Sequence, residues 1–223
     1  MRPPFIYNPP TDPIPILFET EELIFVNKPS GLLAVPGRLP EHQDNLLGRL
    51  QSINTETLLI HRLDMDTSGV MVFAKMAQAQ KELNWQFERR TVKKTYLAKV
   101  TGQIGQSGTV DLPLMRDWPN RPLQKVDENG KPSVTHWRVL ARKTDSCIVE
   151  LIPETGRTHQ LRVHMAALGH AIFGDLFYAD ETVSKQSNRL LLHAYSLEVV
   201  LPNQVDPVCV TAACEFSSTE LTD

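Results

Sequence analysis

The sequence predicts an α+β fold built on a central mixed, mostly antiparallel sheet with flanking helices. Three observations predict it. Short apolar runs such as LIFVNK, VMVFAK and CIVELIP recur as hairpin-like neighbours bounded by Gly, Pro and Asn turn signals. Helix-forming stretches are interspersed among them rather than alternating one for one, which disfavours a doubly wound sheet. The chain has 223 residues, 41% hydrophobic and 22% charged. That is an average globular composition on a length that buries about two-thirds of its unfolded surface as one domain.

Each element follows in order. The opening MRPPFIYNPPTDPIPILF carries prolines at 3, 4, 9, 10, 13 and 15. Proline blocks helix and sheet interiors, so residues 1–18 are expected to form an extended arm before the first strand. ELIFVNKPSGLLAVPG reads as a strand, a Pro-Ser-Gly turn and a second short extended piece. NLLGRLQSI reads as a short helix, and TLLIH and VMVFAK as two strands. What joins those strands is a tight connection or a bulged continuation of one ribbon. Residues 77–90 combine strong helix formers with Ala79, Leu83 and Phe87 near helical spacing. KKTYLAKVTG alternates as a strand, and CIVELIP is a strand ending at Pro153. TGRTHQLRVHMAALGH is a loop entering a helix that stops at Gly169. RLLLHAYSLEVVLP and PVCVTAACEF are the closing strands. Residues 19–216 therefore form the domain, and 217–223 a polar tail.

Composition narrows the class. A net charge of −3 argues against a wholly basic coat but leaves room for a local basic patch. Cys147, Cys209 and Cys214 form no CxxC pair, so reduced thiols and a cytoplasmic location are expected. No apolar run approaches the ~20 residues of a membrane span, and the start lacks a signal-peptide core. No metal is expected. His159 and His164 are five apart, unlike HExxH, and the D-M-D of Asp64 and Asp66 is weak support for a cation clamp on a sugar nucleotide.

The densest chemistry lies in HRLDMDTSG at residues 61–69, charged side chains wedged between two core-like runs. Asp, Thr, Ser and Gly all favour turns, so a plain turn is the competing reading. Arg62 and Asp64 have alternate spacing, so in an extended chain both leave one face, and His61 and Leu63 the other. A second basic cluster, GRTHQLRVH at 156–164, offers counter-charge for a buried aspartate.

These residues carry a resemblance. HRLDMDTSG resembles the HRLDxxTSG signature of the RluA-type pseudouridine synthases. NKPSGLLAVPG, KKTYLAKV, ETGRTHQLRVHMAALGHAIFGDLFY and RLLLHA resemble the family's other blocks, in order, from about residue 25 to 195. The resemblance implies the family's catalytic fold over 19–216 and conversion of uridine to pseudouridine in RNA. In that reaction the base leaves the ribose, turns and rejoins through carbon, with no net redox, so no cofactor is implied. Asp64 falls on the catalytic aspartate, which either attacks the ribose or helps withdraw a proton. Tyr96 falls on the family tyrosine, a stacking surface for a flipped uracil and an oxygen for base or relay work. Arg162 falls on the arginine expected to pair with the aspartate, and Leu192 on the apolar lining position. His61, Thr67, Arg157, His159 and Gln160 are carried over from the same motifs as substrate-binding residues.

Extruding a base costs a few kcal/mol, and a flat guanidinium that fills the gap recovers part of it; Arg62 is expected to do so. Phosphate contacts are expected from Arg38, Arg89, Arg90, Lys93, Lys94, Arg116, Arg121 and Lys125. Compact length and the stretches VPGRLPEH, DLPL and DWPNRP most resemble family members that act on stem-loops of both 23S rRNA and tRNA. The alternatives are a single rRNA target, or a non-catalytic RNA-binding module, which Asp64, Tyr96 and Arg162 leave little room for. No obligatory protein partner is evident.

Overall fold

The computed structural model describes residues 6–218; Pro3 and Pro4 of the arm and residues 219–223 of the polar tail lie outside them. Along the chain run β1 (Ile16–Glu19), β2 (Leu23–Lys28), α1 (Leu46–Gln51), β3 (Leu58–Leu59), β4 (Ser68–Ala74), α2 (Ala77–Arg89) and β5 (Lys93–Thr101). There follow β6 (Ser107–Asp111), β7 (Leu114–Arg116), β8 (Gln124–Val126), β9 (Val134–Lys143), β10 (Ser146–Pro153) and α3 (Gln160–Ala167). The chain closes with α4 (Glu181–Ser184), β11 (Leu192–Val200), β12 (Pro207–Thr211) and α5 (Glu215–Ser218). Ten strands form one sheet in the order β1-β2-β4-β11-β5-β10-β9-β6, with β3 on β4 and β12 on β11. Only β4 and β11 run parallel; the other pairs are antiparallel, as expected of an α+β fold.

Period-2 alternation sorts the apolar runs onto two faces. Leu23 and Phe25 of β2, with Val70, Val72 and Ala74 of β4, pack against Ala79 and Leu83 of α2. Ile24, Val26, Met71 and Phe73 face the other way, onto Leu32, Ala34 and α1. Both faces of β4 are therefore covered, which is why VMVFA is continuously apolar rather than alternating. A third cluster unites β5, β9 and β10 with Leu161 and Met165 of α3.

Several elements depart from expectation. β1 begins at Ile16, inside the segment expected as arm, because Asn27 N–H donates to Pro15 O and Phe18 pairs with Phe25. TLLIH supplies only the two-residue β3, and the piece after Gly31 forms no strand. β6 to β9, α4 and α5 were not anticipated. β9, VTHWRVLARK, alternates too weakly to announce itself, with Thr135 and Val139 buried among polar neighbours.

Candidate active site

The parallel pair β4–β11 explains the end of HRLDMDTSG. Gly69 has φ +113°, and a Cβ there would run into the Ala194 backbone of β11; only glycine admits so close a strand at that φ. One residue earlier, Ser68 Oγ lies 2.8 Å from His193 Nδ1, whose Nε2–H donates to Ala212 O at 3.1 Å. The loop 61–67 is thus pinned where β4 and β11 begin. From beneath, Lys28, fully buried, donates to Pro29 O, Leu32 O and Met65 O at 2.8, 2.8 and 2.7 Å. Burial drags its pKa down to about 7 against the pull of Asp66 and Asp64. Three carbonyl acceptors need three N–H donors, however, so this geometry is that of the ammonium.

Above the sheet lies a cleft of about 520 Å³, counted to its open mouth. The loop before β4 gives Arg62, Leu63, Asp64 and Thr67; β5 gives Lys94 and Tyr96; β11 gives Leu192; the turn into α3 and its first turn give Thr155, Arg157, His159, Gln160 and Arg162. Arg62 and Asp64 reach it together, as their alternate spacing anticipated, while Leu63 plugs into the core beneath. Arg62 is exposed and has no hydrogen-bonded or ionic partner among the described residues. Tyr96 packs its ring between two core clusters. Burial, and then the Asp64 charge, raise its pKa, so it stays a neutral phenol.

His159 faces Asp64, with Nε2 3.9 Å from Oδ2. His159 is itself held. Its Nδ1 lies 2.6 Å from Tyr178 Oη, which accepts the Gln124 backbone N–H at 2.9 Å. In the tautomer in which the Tyr178 hydroxyl donates to Nδ1, the imidazole proton sits on Nε2, facing Asp64. Burial keeps the ring neutral: it lowers the His159 pKa despite Asp64, and pushes Tyr178 up to about 12.

Arg162 does not pair with Asp64, contrary to the sequence-based expectation. Its Nε and Nη2 donate to Asp175 at 2.8 and 2.7 Å, both side chains almost wholly buried. Asp175 Oδ1 also accepts the N–H groups of Phe177 and Tyr178, whose rings lie 4.9 and 5.4 Å from the guanidinium. Arg162 thus acts on Asp64 only through space, its own pKa raised because Asp175, Asp64 and Asp66 outweigh burial. It builds the wall that carries Tyr178.

Other expectations also change. Gln160 spends its amide on Thr155, Arg157 N–H, Val134 O and Thr135, leaving little for a substrate. His61 stacks on Phe87 at 4.7 Å and accepts the Val72 N–H, outside the cleft. Strand alternation sends Lys94 inward and Lys93 outward, to Glu198 at 2.7 Å. Arg38 is exposed and outside the cleft, and Arg121 stacks with Arg116 on Trp118. Arg89 stacks on Trp85, Arg90 caps α2, and Lys125 pairs with Asp127. Sequence reasoning missed Lys28, Asp175 and Tyr178; the signals were a lysine closing an apolar strand and the DLFY of the third block. Asp64 and Asp66 line different cavities, and no group of three or more His, Cys, Asp or Glu side chains gathers among the described residues.

Comparison with known proteins agrees. The sequence profile of the RNA pseudouridylate synthase family matches residues 22–167. The dual-specificity RNA pseudouridine synthase RluA of Vibrio parahaemolyticus is 51% identical over 94% of this chain and 87% of its own length. Its Escherichia coli K12 counterpart is 48% identical over 94% and 98%. Human RNA pseudouridylate synthase domain containing 1 superposes with a TM-score of 0.77 at 30% identity, over 96% of this chain and 86% of its own. The chain belongs to the RNA pseudouridylate synthase family and isomerises uridine to pseudouridine in RNA.

Proposed function

We propose that Asp64 is the essential carboxylate and that the substrates are stem-loops of 23S rRNA and tRNA. The observation that carries the first part is the open position of Asp64 in the cleft, 3.9 Å from a neutral His159 and among Tyr96, Arg62 and Leu192. The second part rests on 51% and 48% identity to relatives named for dual specificity.

In the isomerisation the N1–C1′ bond of uridine breaks, a C5–C1′ bond forms, the C5 proton leaves and N1 gains one. The carboxylate serves this either by attacking the ribose or by withdrawing a proton from it. His159 Nε2–H aims the Asp64 oxygen, since catalytic hydrogen bonds that are long in the free enzyme tighten around substrate. Tyr96 offers the flipped uracil a ring face and an O–H donor; with its raised pKa it is a poor base at neutral pH. Arg62, unpartnered at the mouth, fills the space the base vacates. RNA is the partner this reading requires. Among the described residues no helix is long and apolar enough to cross a membrane.

The deciding experiment replaces Asp64 by Asn and scores pseudouridine in a stem-loop RNA. Turnover is expected to fall at least ~10³-fold while RNA binding persists. Wild-type turnover in Asp64→Asn would end the assignment.

A further inference from the structure

Between β7 and β8 the chain makes a turn, DWPNRP, that belongs to no part of the main sheet. At its tip Trp118 is 59% exposed. The turn that presents it is stiff. Pro119 and Pro122 restrict the backbone. Asp117 N–H donates to Leu123 O at 2.9 Å, Asn120 N–H to Asp117 O at 3.1 Å, and Asn120 Nδ2 to Asp117 Oδ2 at 2.9 Å. The indole is therefore pre-positioned in water, where a large apolar ring gains nothing.

Two cations converge on that ring. The guanidinium carbons of Arg116 and Arg121 lie 5.0 and 5.2 Å from its centroid. Neither arginine has a carboxylate partner among the described residues. One surface cation–π contact is ordinary. Two guanidiniums held over one ring gather positive charge at an exposed aromatic, and an anion arriving there is attracted to both. A largely exposed indole whose ring is matched by two planar, phosphate-shaped donors fits one ligand class, a nucleotide whose unpaired base exchanges with a guanidinium on the ring while its phosphate takes up the arginines.

The hairpin also abuts the cleft. Gln124 at the start of β8 donates its N–H to Tyr178, and Tyr178 holds the His159 that faces Asp64. A nucleotide on Trp118 would be near a target uridine in the cleft without occupying it.

We propose that Trp118, Arg116 and Arg121 form a second nucleotide site, in which an unpaired base of the substrate RNA stacks on the indole and its phosphate bridges the guanidiniums. The proposal rests on the reading that stem-loop RNA is the substrate, and it adds a grip on the loop outside the catalytic cleft.

The test measures binding of the full-length protein to a labelled stem-loop RNA and to a blunt duplex of the same stem. Base stacking contributes about 1–3 kcal/mol per base, so Trp118→Ala should weaken stem-loop binding roughly 5- to 150-fold. Trp118→Phe should restore most of it, duplex binding should stay unchanged, and kcat at saturating RNA should hold. Arg116→Ala and Arg121→Ala should each lower the slope of log affinity against log salt by about one, and Trp118→Ala should leave that slope alone. Wild-type stem-loop affinity in Trp118→Ala, or an equal loss on the duplex, overturns the proposal; the second result would mean contact with RNA backbone or another acidic surface. Because binding is read separately from turnover, an active Asp64→Asn enzyme would sink the catalytic assignment and leave this result standing.

Discussion

His159 occupies a backbone conformation that histidine seldom adopts, φ +55°, as the residue capping α3. Its ring nitrogens have separate duties, Nδ1 toward Tyr178 and Nε2 toward Asp64. Two amides divide those duties. The side-chain amide of Gln reaches about as far as Nε2, and that of Asn only as far as Nδ1. Asn suits a left-handed backbone better, so His159→Asn should be the more stable variant. His159→Gln should be the more active one, because it alone keeps a donor facing the carboxylate. A hydrogen bond to a charged group contributes about 1.5–3 kcal/mol, so kcat should be ~10- to 100-fold lower in Asn than in Gln, with KM little changed. Equal kcat values, or a change confined to KM, would make His159 a substrate contact or a packing group instead. That Asp64, Tyr96 and Arg162 gather at one cleft was legible in the sequence because each lies in a compact block. The partner of Arg162 was not, because Asp175 comes thirteen residues later and only the fold of the 172–178 loop beneath α3 joins them.

At the scale of elements, the short parallel contact between β4 and β11 sets the position of the 61–67 loop that carries Asp64. Gly69→Ala would place a Cβ against the Ala194 backbone at a φ that alanine avoids. Neither strand has room to yield, since β4 is buried along its whole length. The substitution should cost about 3 kcal/mol or more, read as a lower urea midpoint with pseudouridine formation lost in parallel. Gly105→Ala, with open space around the new methyl, should stay within about 0.5 kcal/mol of wild type. If the two alanines behaved alike, the close strand approach would not be what holds the loop. Strands such as β2, β4, β5 and β10 were legible from apolar runs because they are central. β6 and β9 sit at one edge of the sheet, where one face meets water and polar residues dilute the pattern. β7 and β8 have three residues each, too short for any period to show.

Across the whole molecule, four of the seven histidines, His61, His159, His164 and His193, sit where burial favours the neutral ring. His61 accepts the Val72 N–H, and the other three each have a ring nitrogen within hydrogen-bond distance of a hydroxyl: Tyr178 for His159, Thr135 for His164 and Ser68 for His193. Burial, the leading cause in all four, lowers their pKa values below 6.5, to about 3 for His61. The unfolded chain would protonate them near 6.5 and the folded chain would not, so below that pH the unfolded state binds more protons. Their contribution to stability is complete above about 6.5 and is lost as pH falls toward the folded values. Each such histidine can contribute up to about 1.4 kcal/mol per pH unit in that window. Asp66, whose pKa burial raises, opposes the trend, but among the described residues it is one carboxylate against four imidazoles. Thermal unfolding should therefore show a Tm lower by several degrees at pH 5.5 than at pH 7.5, before most carboxylates titrate. Replacing the buried His193 by Gln, which keeps a donor and an acceptor but cannot take the proton, should lower stability at pH 7.5 yet flatten the decline by roughly one histidine's share. A Tm that held constant across this window would mean that the four rings accept protons in the folded state and that their burial does not hold them neutral.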